Sequence, residues 1–299
     1  MKKILLLFSV LFLVVNSNKS IAQTTDLVRI EYTYFPQSNS DNSFRRFRSF
    51  VNFPIELKKK GTYIIPGIEY RNVNFKYEDP AQFETLHLDR FQSFTASLGT
   101  IFNLRGKWRM GAEVGVKAAS NFSTNDIYSD DLIFDGAVYF IRIEKEAEKP
   151  WRLIFGMHYS TTTGFPFPLP VVNYYKKFNP NWSYTLGIPK SNLKYHINKR
   201  NELQTFITLD GFFANIQDEF EATPVVNDTK DIAESMSMTI LLAGIGYQYN
   251  FSKHISFYIY TGHTLINDIR LRDSNKDDVY TINDTNTFYS RGGLKFSIL

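Results

Sequence analysis

The chain has 299 residues, 34 Lys and Arg against 30 Asp and Glu, and no cysteine. A formal charge of +4 gives no global attraction for nucleic acid. The lack of cysteine removes a lipid anchor, disulfides and any thiolate chemistry or metal ligation.

Lys2 and Lys3, an apolar run from Ile4 to Val15 and a polar stretch ending Ser20-Ile21-Ala22 have the layout of a secretory signal peptide. Cleavage is expected after Ala22, which makes 1–22 the leader and 23–299 the mature domain. An uncleaved anchor is the alternative, but the run is shorter than the roughly 20 residues a spanning helix needs. Losing Lys2, Lys3 and Lys19 takes the charge from +4 to about +1. No later stretch is apolar for long enough to form a spanning helix.

From there the chain alternates apolar and polar side chains. The pattern predicts strands near 26–35, 45–57, 63–77, 91–104 and 108–118. In the last of these Trp108, Met110, Ala112, Val114 and Val116 interleave with Arg109, Gly111, Glu113, Gly115 and Lys117. Further strands are expected at 132–143, 151–160, 171–178, 182–188, 193–197, 202–213, 236–250, 255–265 and 288–298. The faces of 132–143 stay unassigned, because Asp135 and Arg142 have opposite parity.

The connections sort by length. Those at 58–61, 105–107, 144–150, 179–181, 198–201 and 251–254 are short. Those at 36–44, 78–89, 121–131, 161–170, 214–234 and 266–286 are long, and only 189–192 breaks the rule. A soluble sandwich has no reason to sort its loops this way. An antiparallel up-and-down transmembrane β-barrel does. The reading is all-β, about fourteen strands, with twelve as the alternative. The closing stretch Arg291 to Leu299 puts Leu294, Phe296 and Ile298 on one face, like the terminal strand of outer-membrane proteins.

The segment Gly164-Phe165-Pro166-Phe167-Pro168-Leu169-Pro170-Val171-Val172, with Tyr174, Trp182, Leu186-Gly187-Ile188-Pro189 and Tyr195, resembles the central motif of an uncharacterised outer-membrane barrel family of Bacteroidetes-type bacteria. The resemblance implies a barrel and export, and carries no activity. Proline cannot donate to a ladder, so these prolines should bound shortened strands. Phe165, Pro166, Phe167, Pro168 and Pro170 are the candidate mouth or constriction segment, with a stiff surface loop as the alternative.

Parity turns Arg46, Arg48, Glu69, Arg71, Arg109, Glu113, Lys117, Arg152, His158, Lys194, Arg291 and Lys295 toward the lumen. A surplus of arginine there would favour anions in a water-filled pore. The five histidines share no short metal-binding spacing. His263 and Asp210 are the nearest approach to a catalytic pair, with an intervening strand between them. Asp273, Asn275, Asp277 and Asp284 follow a calcium-loop spacing, but Asp278 stands where that loop needs glycine. No catalytic residue, cofactor or metal is therefore assigned.

These readings give three expectations. The first is a porin-like or substrate-selective passive channel for small hydrophilic solutes in the bacterial outer membrane. The second is a structural or surface-interaction barrel with a plugged lumen, and the third an outer-membrane hydrolase. Expected partners are outer-membrane lipid and lipopolysaccharide, the barrel assembly machinery and small solutes. Nucleic acid is not among them, and the barrel is expected to be a monomer.

Overall fold

The computed structural model describes residues 25–36, 42–77, 85, 87–124, 126–222 and 232–298. The expected leader 1–22 and its cleavage point lie outside these residues. Fourteen antiparallel strands follow one another in chain order and close into a barrel. They are β1 (Thr25–Phe35), β2 (Asn42–Asn52, continued by Ile55–Glu56), β3 (Tyr63–Tyr77), β4 (Arg90–Asn103) and β5 (Trp108–Ser120). Next come β6 (Leu132–Glu144), β7 (Trp151–Ser160), β8 (Phe167–Asn179), β9 (Trp182–Ile188) and β10 (Lys190–His196). The last four are β11 (Asn201–Glu221), β12 (Ile232–Asn250), β13 (Ile255–Arg272) and β14 (Phe288–Ile298). Closure is made by β14 on β1, from Thr25–Ile298 to Tyr34–Ser290.

Alternation decides which side each residue takes. Outward residues Ile68, Val114, Phe134 and Ile245 are 60 % exposed or more. Apolar surface of this kind runs round the whole cylinder, and hydrocarbon is the solvent it suits. Short connections gather at one end, here the turn end, and long ones at the other, the loop end. The parity conflict in β6 resolves simply. Asp135 points inward, 3.9 Å from Lys117. Arg142 points outward at the turn end, over the rings of Trp108 and Trp151. There the guanidinium sits in an aromatic belt, the level at which amphipathic rings and long basic side chains are stable.

Five strands run longer than their alternation suggests. β8 starts at Phe167 rather than 171, and β10 at Lys190 rather than 193. β11 continues to Glu221, β12 starts at Ile232 and β13 reaches Arg272. The expected loops 214–234 and 266–286 are thus strand in good part, and Asp278–Asn283 adds a short strand on β13. The alternation weakened because the upper parts of β11–β13 leave the lipid.

Their departure has a local cause. β10 supports β11 only as far as Thr208, opposite Lys190, with Leu209 N–H donating to Pro189 O at 2.8 Å. Beyond that point β11 has no strand beside it on this side among the described residues, only the turn at 161–164 packed on Gly211, and it leans across the barrel until Asn215 bridges Ser120 of β5. Gly211 allows the crossing: a Cβ there would stand 2.4 Å from Thr162 O and 2.8 Å from Met238 O. A polar seam fastens the tip, in which Asn215 and Gln217 both donate to the fully buried carboxylate of Asp131, at 2.9 and 2.7 Å.

The leaning sheet closes a dry core against the inner faces of β1–β5. Phe35 stacks on Phe44 at 4.1 Å, and Phe44 and Phe75 continue the row. Met236, Met238, Ile240, Leu242, Ile269 and Leu271 face them with no exposure at all. Each such side chain contributes about 1.5–3 kcal/mol relative to a water-filled lumen.

Candidate functional site

Below the dry core the interior is ionic. Asp210 on β11 accepts from Arg46 on β2, at 3.0 and 2.6 Å, and from Arg291 on β14, at 2.8 Å. β2 and β11 are not neighbours in the wall, so this link spans the lumen. Arg291 also donates to Thr33 Oγ1 at 3.2 Å and lies 3.7 Å from Glu31. Glu31, only 2 % exposed, accepts from the Tyr258 hydroxyl at 2.6 Å. Tyr260 beside it lies flat across β12, where a Cβ at Gly246 would come within 2.3 Å of the ring. Lys295 and Arg29 reach over the Tyr258 ring, and the Lys190 ammonium sits 4.8 Å above Phe206.

Because Glu31 is a buried charge, Tyr258→Phe should cost about 1.5–3 kcal/mol, the range for a lost hydrogen bond to an ionised group. Urea unfolding in detergent micelles measures it. An unchanged midpoint would show that Glu31 finds another donor.

The second cluster lines a chamber of about 240 Å³ on the β2–β7 side. Arg48 donates to Glu69 at 3.0 and 2.6 Å, and Arg71 pairs with the other oxygen of that carboxylate. Arg71 also donates to Gly211 O at 3.3 Å, and Lys117 donates to Thr161 Oγ1 at 2.7 Å. Glu113, Asp135 and His158 also line it, while Ser160, Thr161 and Thr162 roof it. Three basic residues meet three acidic ones, so the arginine surplus counted along the strands is not expressed here. Arg109 lies apart at the turn-end rim with Lys107 and Glu144, and Arg152 donates to Asn173 at 3.2 Å.

A third group lies at the turn end of β9–β11. Ser183 Oγ is 2.9 Å from His196 Nε2, and His196 Nδ1 is 3.3 Å from Glu202. Lys194 donates to the other Glu202 oxygen at 2.8 Å. Sequence reasoning missed this relay, because Ser183 and His196 meet diagonally across a hairpin whose register only the structure gives. The order of groups is that of an activated serine. However, Ser183 is 1 % exposed and its strand is paired on both sides. Its backbone is therefore committed to ladders, leaving neither an oxyanion donor nor room for a carbonyl. The group acts as a polar ladder.

The other candidate pair is not assembled. Asp210 belongs to the cross-lumen link, while His263 stacks edge-on against Phe288. Asp273 accepts from the Asp277 N–H at 2.8 Å within a tight turn. Among the described residues no three acidic or histidine side chains converge as metal ligands would. In the candidate mouth segment, Phe165 packs on the interior core under Arg272, and Pro166 is half-buried beside it. Phe167, Pro168 and Pro170 belong to β8 and are exposed.

Comparison with known proteins follows the same outline. The profile of the family described as Domain of unknown function (DUF6268) matches residues 19–297. The chain belongs to this family. No curated protein matches the sequence. Among solved structures, the DUF6268 chain is similar to the NanC porin, with 11 % identity, 90 % of this chain and 98 % of that one covered, and a TM-score of 0.38. It is also similar to the KdgM porin in complex with disordered oligogalacturonate, at 8 % identity, 91 % and 99 % coverage and 0.35. The outer membrane phospholipase dimer of Salmonella typhi with bound calcium stands at 9 %, 94 % of each chain and 0.36.

Proposed function

We propose that this DUF6268 protein is an exported outer-membrane barrel that admits small solutes selectively and rests with its axis closed. The observation that carries the reading is the division of the interior, with an apolar core across the loop end and an ionic chamber behind it. An open general porin would show a continuous wet lumen. The leader 1–22 is removed on export, the turn end faces the periplasm and the long loops face lipopolysaccharide. The barrel assembly machinery inserts it, and it works as a monomer with lipid around it. The resemblance of the motif at about 165–195 supports an origin among Bacteroidetes-type bacteria.

Liposome swelling tests this reading. Vesicles carrying the protein should swell in arabinose faster than protein-free vesicles, yet far more slowly than vesicles carrying a sixteen-strand porin. Swelling at the porin rate would overturn it. No swelling with any small sugar or amino acid would overturn the passage of small hydrophilic solutes and favour the second reading, a barrel that acts through its surface. The cross-lumen Arg46–Asp210–Arg291 link is the feature that favours that second reading.

A further inference from the structure

The wall is low in one place. β9 and β10 have seven residues each and are joined by Pro189 alone. Seven tilted residues climb roughly 18 Å, whereas the apolar band of an outer-membrane barrel is about 25 Å tall. Toward the loop end, beyond this hairpin, β8 continues through Phe167–Val171 and β11 through Leu209–Glu221, with no strand between them. The interval is about three strand spacings, roughly 14 Å.

Both borders are built as edges. Along this stretch β8 pairs only with β7, where Met157 faces Pro170 and Tyr159 faces Pro168. Proline has no N–H to offer, so Pro168 and Pro170 turn their blank side to the gap, a device that stops an exposed edge from recruiting another strand. On the other border β11 leans away into the barrel. Directly toward the turn end, the outer surface of β9–β11 carries an apolar groove of about 650 Å³, lined by Tyr184, Leu186, Leu193 and Ile207 among others.

One turn of chain separates this gap from the chamber. Thr161–Thr163 and Gly164 lie against Gly211, Met238 and Thr239 of the leaning sheet. Among the bonds that hold the turn are Lys117 to Thr161 at 2.7 Å, Thr239 to Thr163 O at 2.7 Å, and Thr162 N–H to Ser160 Oγ at 3.1 Å. Its other side is the chamber roof.

We propose that residues 161–165 are a lid over a lateral exit between β8 and β11, and that the solute is a single-chain amphiphile with an anionic head. The inference rests on the selective-passage reading above and names its substrate class. When the lid lifts, Lys117 loses Thr161, keeps Asp135 at 3.9 Å, and has a donor to turn toward a carboxylate or phosphate beside Arg71. The apolar tail then lies in the gap and on the groove, in contact with lipid along its length. A wholly hydrophilic solute would gain nothing from a doorway that opens on hydrocarbon.

The absence of cysteine makes a clean test available. The double variant T163C/T239C, whose positions already touch, is bridged with dibromobimane, and the fluorescence of the bridged reagent reports that the lid is shut. Nanodiscs carrying wild type, unbridged variant or bridged variant receive palmitate with a diazirine near its head, are irradiated, and are mapped by peptide mass spectrometry. The expected result is labelling of peptides from β4 and β5 in wild type and unbridged variant, at least fivefold above the bridged protein. Equal labelling with the lid bridged overturns the lateral route. No labelling in any sample, with arabinose swelling intact, overturns the amphiphile while leaving selective passage standing. Loss of both overturns the two together.

Discussion

Replacing Asp210 with alanine is expected to lower the stability of the folded barrel by about 3–5 kcal/mol, the cost of removing one partner from a buried ion pair. Arg46 keeps only 3 % of its side chain exposed and Arg291 11 %, and both aim at the same carboxylate. Without it two guanidiniums face each other in the buried interior; no second carboxylate pairs with Arg46 among the described ion pairs, while Arg291 keeps Glu31 at 3.7 Å. Asp210→Asn should lose less, because it keeps the volume and one acceptor while removing the charge. The temperature at which the unboiled protein changes mobility on an SDS gel reads both effects. A variant as heat-resistant as the parent would mean that water already solvates these arginines, and that the dry core does not extend down to them.

The second large effect concerns passage. Exchanging residues 214–236 for an Asn-Gly turn leaves Phe213 opposite Ser237 and makes a tight hairpin with the twist such turns favour. It deletes Ile216 and Met236 from the core and removes the Asn215 and Gln217 seam to Asp131. The sheet then loses its fastening to Asp131 and keeps across the lumen the Asp210 link to Arg46 and the Arg71 bond to Gly211 O. Planar-bilayer recording should show steps of conductance in the truncated barrel that are absent or much smaller in the parent. Arabinose swelling should rise at least tenfold. Should the truncated protein insert normally and remain silent, the blockage would lie in the ionic layer around Asp210, and Asp210→Ala in the same background would be the variant to record next.

Most of the architecture was legible in the sequence because a membrane barrel enforces its alternation: one parity must satisfy hydrocarbon and the other water. That is why Trp108 to Ala118 could be read residue by residue, and why the short and long connections sorted into two ends. The upper parts of β11–β13 escaped for a physical reason. Ser235, Ser237 and Thr239 occupy the parity that elsewhere carries Ile or Phe, because this face is covered by Gly164 and its neighbours rather than by lipid. The run Ser-Met-Ser-Met-Thr-Ile held a usable sign. It alternates, but with small hydroxyls in place of lipid-facing groups, as a sheet covered by protein on both sides would. The interior was readable by parity alone, which turns Arg46 inward but says nothing of Asp210 waiting on the far wall. Distances between strands nine apart in the sequence order depend on how the cylinder is flattened, and no local pattern encodes that.

The seam between β1 and β14 joins Thr25 to Ile298, the widest separation along the polypeptide of any pairing in the cylinder. Until those two strands meet, each is a bare edge of long, apolar, unsatisfied backbone. Such distant pairings are the slowest to form, since the whole intervening loop must first be ordered. Swapping a single outward residue of this last pair, Leu294 or Ile30, for lysine should therefore act on the rate of maturation and on losses to aggregation more than on the endurance of the finished protein.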